Sequence, residues 1–141
     1  SFHPKKKSYF SKAHQVGWVM GAFFALRKKV FEKTEGFDEN LFMHTEEVEW
    51  CKRIKNKGFK IWYVPQVEAV HLHGASTNFD LSSSFLNELK GIKYYLLKHY
   101  SFFYYPVKLF LILGLILRIM AFKILRNTKR TEVYIKGLSY V

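Results

Sequence analysis

A chain of 141 residues and 16.8 kDa, with 23 Lys and Arg against 11 Asp and Glu, carries a formal net charge of +12 at pH 7. An apolar content of 49% and an aromatic content of 18% exclude a disordered basic tail, and one cysteine, Cys51, excludes a disulfide framework or a Cys-rich zinc module. The length suits one modest domain with its own core, and the charge points to nucleic acid or to an anionic membrane.

In chain order, residues 1–14 are polar and basic and read as a surface loop; with no initiator Met and no signal-peptide pattern, the expectation is a piece of a longer protein. Residues 16–26 are almost continuously apolar, too short to span a bilayer, and suit a buried strand or, by periodicity alone, a buried helix. A helical turn is expected over 30–33, then a loop through Gly36-Phe37-Asp38-Glu39-Asn40. Thr45 is placed to cap a helix running to about residue 57, with Glu46 and Glu47 complementing its N-terminus and Gly58 ending it. Residues 59–64 read as a strand stopped at Pro65, and 67–73 as a second extended segment. Ser82, Ser83 or Ser84 is expected to cap a helix whose apolar residues Phe85, Leu89, Ile92 and Leu96 recur at helical spacing.

Two constellations could carry chemistry. On a helix at 100° per residue with Glu47 at 0°, Cys51 falls near about 40°, Ile54 near about −20° and Trp50 near about −60°. Glu47 therefore lies along the apolar stripe, whereas Glu49, near about 200°, is expected to face solvent and pair with Arg53 at the surface. A carboxylate on the inward face of a helix N-terminus is raised in pKa by burial and lowered by the dipole; one that stays ionised in a cleft suits a general base. Ordinary first-turn acids are the other reading of Glu46 and Glu47. His71 and His73, two apart, leave one face of an extended segment and could share a metal if a third ligand joined them, or could be plain strand-end histidines. The turn Gly74-Ala75-Ser76-Thr77 that follows could approach a ligand or be loop chemistry alone.

Read in order, the segments are Gly17-Trp18-Val19-Met20-Gly21-Ala22, Gly36-Phe37-Asp38-Glu39-Asn40 with Phe42-Met43, and Glu46-Glu47-Val48-Glu49-Trp50-Cys51-Lys52-Arg53. Gly58-Phe59-Lys60-Ile61 with Pro65, and His71-Leu72-His73-Gly74-Ala75-Ser76, close the series. This succession resembles the C-terminal half of family 2 glycosyltransferases of the GT-A fold, in particular bacterial rhamnosyltransferase-like members, over about residues 13–100. The resemblance implies an α/β fold: the C-terminal, acceptor-side part of a GT-A (nucleotide-diphospho-sugar transferase) domain over 1–100, with a C-terminal hydrophobic helical tail over 101–141. It implies inverting transfer from a nucleotide-diphospho-sugar to a glycan or lipid-linked acceptor in cell-surface polysaccharide synthesis. The catalytic base, the second acid of a Glu-Asp pair, falls on Glu47, with Glu in place of Asp; Glu46 matches the first acid. Trp18, Met20, Gly21, Trp50 and Arg53 match substrate-binding positions, Arg53 also being open to a surface pair with Glu49. His71 matches a histidine that joins an Asp-x-Asp motif at a divalent cation (Mg or Mn) in the full-length enzyme. Glu35 stands where the turn of these enzymes normally carries another Gly. The nucleotide-binding half and the Asp-x-Asp are expected before Ser1, so that alone this chain binds nucleotide sugar poorly and is inactive.

The tail has its own character. Residues 100–141 hold 7 basic residues and one acid, Glu132, net +6, while residues 1–99 hold 16 basic and 10 acidic, also net +6. Residues 102–125 are mostly apolar but interrupted by Lys108 and Arg118; the nine residues between them cover about 14 Å as helix, short of a hydrocarbon thickness of about 30 Å. Phe102, Phe103, Tyr104 and Tyr105 resemble an aromatic belt, and Lys123, Arg126, Lys129 and Arg130 suit anionic headgroups. An interfacial or re-entrant helix, a tilted spanning helix and a core helix covered by absent protein are the three readings, with the cytoplasmic face of the cell membrane as the expected location. Two other function classes remain beside the enzyme. One is a non-catalytic membrane adaptor; the other is a nucleic-acid module, which the layout of charge and aromatics does not favour, so no nucleic acid is expected as a partner.

Overall fold

A computed structural model of the chain describes residues 7–71 and 81–141. These residues are mixed and helix-rich, and fall into two compact units: Ser1–Glu39 with Glu46–Leu72, and Asn40–Thr45 with His73–Val141. The units therefore do not divide at 100/101. His73 and the turn at 74–77 lie outside the described residues.

In the first unit, β1 (His14–Val16) and β2 (Ile61–Tyr63) pair antiparallel, with His14 opposite Tyr63, Gln15 opposite Trp62 and Val16 opposite Ile61. Helices α1 (Lys28–Thr34) and α2 (Glu46–Asn56) complete the unit. Its core is Val30, Trp50, Cys51, Ile54 and Ile61, with Val16, Val19, Phe24 and Phe59 packed against it. α2 falls within the expected span because its ends are chemically marked. Three acids occupy its first turn, and Gly58, at φ +81°, takes the left-handed conformation that stops a helix.

Of the strand expected over 16–26 only Val16 is in β1, and irregular chain follows. β2 begins only at Ile61, opposite Val16, just after the Gly58 turn, so in this antiparallel ladder no strand residue stands opposite the chain beyond Val16. Val19 and Phe24 still turn into the core while Trp18, Met20 and Phe23 point out. Likewise, residues 67–71 form no strand, and Val70 is almost fully exposed.

The turn after α1 explains why glycine suits the position of Glu35. Glu35 sits at φ +60° as the left-handed cap, its N–H donating to the Phe31 carbonyl at 2.8 Å, and Gly36 follows at φ +71°. A side chain in that region strains the backbone by about 1–2 kcal/mol, so Glu35→Gly is expected to stabilise the chain by about 1 kcal/mol after glycine's extra unfolded-state entropy. Urea unfolding reads this as a higher midpoint at constant slope; a lower midpoint refutes it.

In the second unit, α3 (Leu81–His99), α4 (Ser101–Ile124) and α5 (Thr128–Gly137) surround Leu89, Leu115 and Val141, with Phe85, Leu111, Ile112, Tyr134, Leu138 and Tyr140 around them. The expected α3 stripe is met at Phe85 and Leu89, but the helix begins at Leu81, placing Ser82–84 inside its first turn instead of at its cap. Gly91 lies flat against Thr45: a Cβ there would meet the threonine Oγ1 at 2.2 Å. Asn127 caps α5, its Oδ1 accepting from the Arg130 N–H at 3.0 Å, so what reads in sequence as a basic tail is a helix. No helix among the described residues is long and apolar enough to cross a membrane, which sets aside the spanning reading of α4.

Candidate functional site

The first turn of α2 and the segment 17–21 come together. A Cβ built on Gly21 would lie 3.9 Å from the Glu47 Cβ, and one helical turn further on, the Val19 backbone hydrogen-bonds the Cys51 thiol. The segment thus runs back along α2, turning Val19 inward while Trp18 and Met20 stand 41% and 43% exposed. With no side chain, Gly21 lets its backbone stand close to the Glu47 side chain. Glu46 and Glu47 are both half-buried, and the Glu47 Oε2 atom is buried from solvent. The geometry supplies a carboxylate at a helix start with a glycine packed beside it, on a segment that also carries the exposed Trp18 and Met20.

Cys51 is fully buried beneath Glu47. Burial pushes its thiol above the ordinary value of 9.0, the Val19 N–H opposes the rise, the Glu47 charge adds to it and Lys55 opposes it. A thiol whose folded pKa is raised lends stability that is complete below the unfolded value and is lost as pH climbs through the folded one. The chain is therefore expected to lose stability above about pH 9 partly through Cys51. Thermal midpoints from pH 8 to pH 10.5 should fall less steeply for Cys51→Ala than for the parent; equal slopes contradict this.

One expected placement is corrected, and two proposed substrate-binding residues, Arg53 and Trp50, have partners within the unit. Glu49 does not face solvent: it is 0% exposed, and its carboxylate accepts both hydrogen bonds of a fork from Arg53 Nε, at 3.0 and 2.8 Å. Arg53 Nη1 and Nη2 donate to the Thr34 and Gly36 carbonyls, tying the guanidinium to the turn after α1. Trp50, expected at the substrate, is 4% exposed and donates Nε1–H to the Thr34 hydroxyl at 2.8 Å, stacked on Phe24 and edge-on to Phe37. Helical projection missed the burial of Glu49 because it assigns one inward face, whereas Arg53, bonded to the turn after α1, closes over the opposite side of α2 as well. The signal available in sequence was the Gly36 turn, whose backbone carbonyl, once buried, needs a donor such as Arg53.

A depression of about 270 Å³ lined by Lys33, Thr34, Glu35, Arg53, Asn56 and Lys57 borders this network and contains neither Glu46 nor Glu47. His71 is exposed, and among the described residues no group of three or more His, Cys, Asp or Glu could hold a metal ion. A divalent cation does not fit the described residues by themselves.

Over residues 6–86 the chain matches the family described as glycosyltransferase like family 2. It is 31% identical over 93 residues to the rhamnosyltransferase WbbL of Escherichia coli (strain K12), a match covering 66% of this chain and 34% of that protein. It is 33% identical over 86 residues to an N-acetylglucosaminyl-diphospho-decaprenol L-rhamnosyltransferase of Mycobacterium tuberculosis (strain CDC 1551 / Oshkosh), covering 61% of this chain and 28% of that protein. The matched region thus spans roughly a third of the length of these curated relatives. No solved structure matches.

Proposed function

The chain belongs to the glycosyltransferase-like family 2, and from that premise we propose that it is the acceptor-side part of an inverting GT-A enzyme. In this reading a sugar moves from a nucleotide-diphospho-sugar to a glycan or lipid-linked acceptor, at the cytoplasmic face of the cell membrane, during cell-surface polysaccharide synthesis. The observation that carries it is the placement of Gly21 against Glu47; Trp18 and Met20, exposed on the same segment, are the residues proposed to meet the substrates. Glu47 takes the proton from the acceptor hydroxyl. That oxygen forms the new bond to the anomeric carbon from the face opposite the nucleoside diphosphate, which leaves with the bonding pair, so configuration inverts. Glu46, in the same first turn, orients the acceptor. Family 2 glycosyltransferases commonly use divalent cations; His71 is the residue of this chain proposed to contribute to such a site, and no step is routed through it.

The similarity to two rhamnosyltransferases selects the pair to test first: a nucleotide-diphospho-L-rhamnose donor and an N-acetylglucosaminyl-diphospho-polyprenol acceptor. The full-length protein is expected to transfer the sugar with inversion. Failure to transfer from this and from a panel of other nucleotide sugars, in protein that binds donor, favours the adaptor.

A further inference from the structure

The apolar side of α4 that faces away from α3 and α5 has no packing role in its unit. With Leu115 set at 0° and 100° per residue, the core-facing Tyr104, Leu111 and Ile112 fall within about 60° of it. Phe102, Leu109, Phe110, Leu113, Leu117 and Ile124 fall between about 120° and 220°, and each is strongly exposed, Phe102 reaching 83% and Ile124 80%. The three charges of the helix, Lys108, Arg118 and Lys123, all lie within about 80° of Leu115. The outer arc is therefore free of charge along 24 residues, about 36 Å, and exceeds the few hundred Å² that a soluble surface ordinarily leaves bare.

We propose that this arc is a docking surface for an anionic lipid bilayer, with α4 lying in the plane of the interface. The location was part of the proposed function; the surface, its orientation and its lipid charge go beyond it. The occupant is selected by charge. Around one end of the arc stand Lys123, Arg126, Lys129 and Arg130, all exposed, and the one acid of the tail is Glu132. A second copy of the chain laid on the arc would bring two such +6 segments together, whereas anionic headgroups neutralise them. The rest of the geometry suits an interface. Arg118 Nη1 bonds the Gly114 carbonyl and Arg130 sits over Phe122, so both cations lie beside the arc and not across it. Phe102, Phe103 and Tyr105 give the opposite end an aromatic edge.

Co-sedimentation of the full 141-residue chain with vesicles tests this without any measurement of transfer, so that failure of docking and failure of the enzymatic reading stay distinct. Binding is expected to phosphatidylcholine vesicles containing phosphatidylglycerol, and to weaken sharply without it or in high salt. Lys123→Gln/Arg126→Gln/Lys129→Gln, which touches no core residue, should reduce partitioning by about a hundredfold. Leu117→Glu should also abolish it while the circular dichroism spectrum is retained. No binding, equal binding to neutral vesicles, or protein that resists extraction at pH 11 as a spanning helix would, each overturns the proposal. So does a dimer of the free chain that Leu117→Glu dissociates, or binding unchanged by Leu117→Glu in folded protein.

Discussion

Arg53→Ala is expected to destabilise the first unit by about 3–5 kcal/mol, several times what an exposed ion pair contributes. The reason is the position of its partner. Glu49 has no solvent exposure, and the arginine fork satisfies both of its carboxylate oxygens. Truncating Arg53 leaves that buried charge without its counter-ion and strips donors from the Thr34 and Gly36 carbonyls. These two carbonyls flank Glu35, so the left-handed turn after α1 should loosen together with α2. Glu49→Leu/Arg53→Met removes charge and counter-ion together and should recover part of the loss. Chemical denaturation measures all three; a loss of less than about 1 kcal/mol for Arg53→Ala would assign the pair to the surface after all.

In the full-length protein, Glu47→Gln is expected to lower turnover by about 10²–10⁴-fold while donor affinity stays within a few-fold. The amide keeps the shape of the side chain against Gly21 but cannot accept the hydroxyl proton. In the proposed reading Glu47 meets the acceptor and not the nucleotide sugar, so the effect should fall on the chemical step alone. Because Cys51 lies beneath Glu47, unchanged circular dichroism and an unchanged thermal midpoint are the required controls. Turnover within threefold of the parent excludes Glu47 as the base.

How much of this was legible in the sequence depended on whether one element or two decided the outcome. α2 carries its own boundary chemistry, acids at the start and Gly58 at the end, and so does the apolar stripe of α3; local signals were sufficient there. The juxtaposition of Gly21 with Glu47 was reachable only through the resemblance, since nothing in either segment specifies the other. The run 16–26 misled because apolar composition reports burial and not pairing; its β-structure stops at Val16, opposite the first residue of β2. Glu49 was misplaced for a different reason. A helical projection treats one face as inside, and the turn containing Gly36 covers a second face of α2, turning an apparent surface acid into the most enclosed charge of its unit.

The burial of Trp50 has an optical consequence. The three indoles of the chain differ in environment: Trp18 and Trp62 are 41% and 53% exposed, while Trp50 is 4% exposed and hydrogen-bonded to Thr34. Iodide should quench the first two and spare the third, leaving a blue-shifted emission from one residue. Since Trp50 touches Phe24, Phe37 and Thr34 together, that residual band is an intrinsic gauge of the joint between α1 and α2. It separates loosening at that joint from events at α4, which contains no tryptophan.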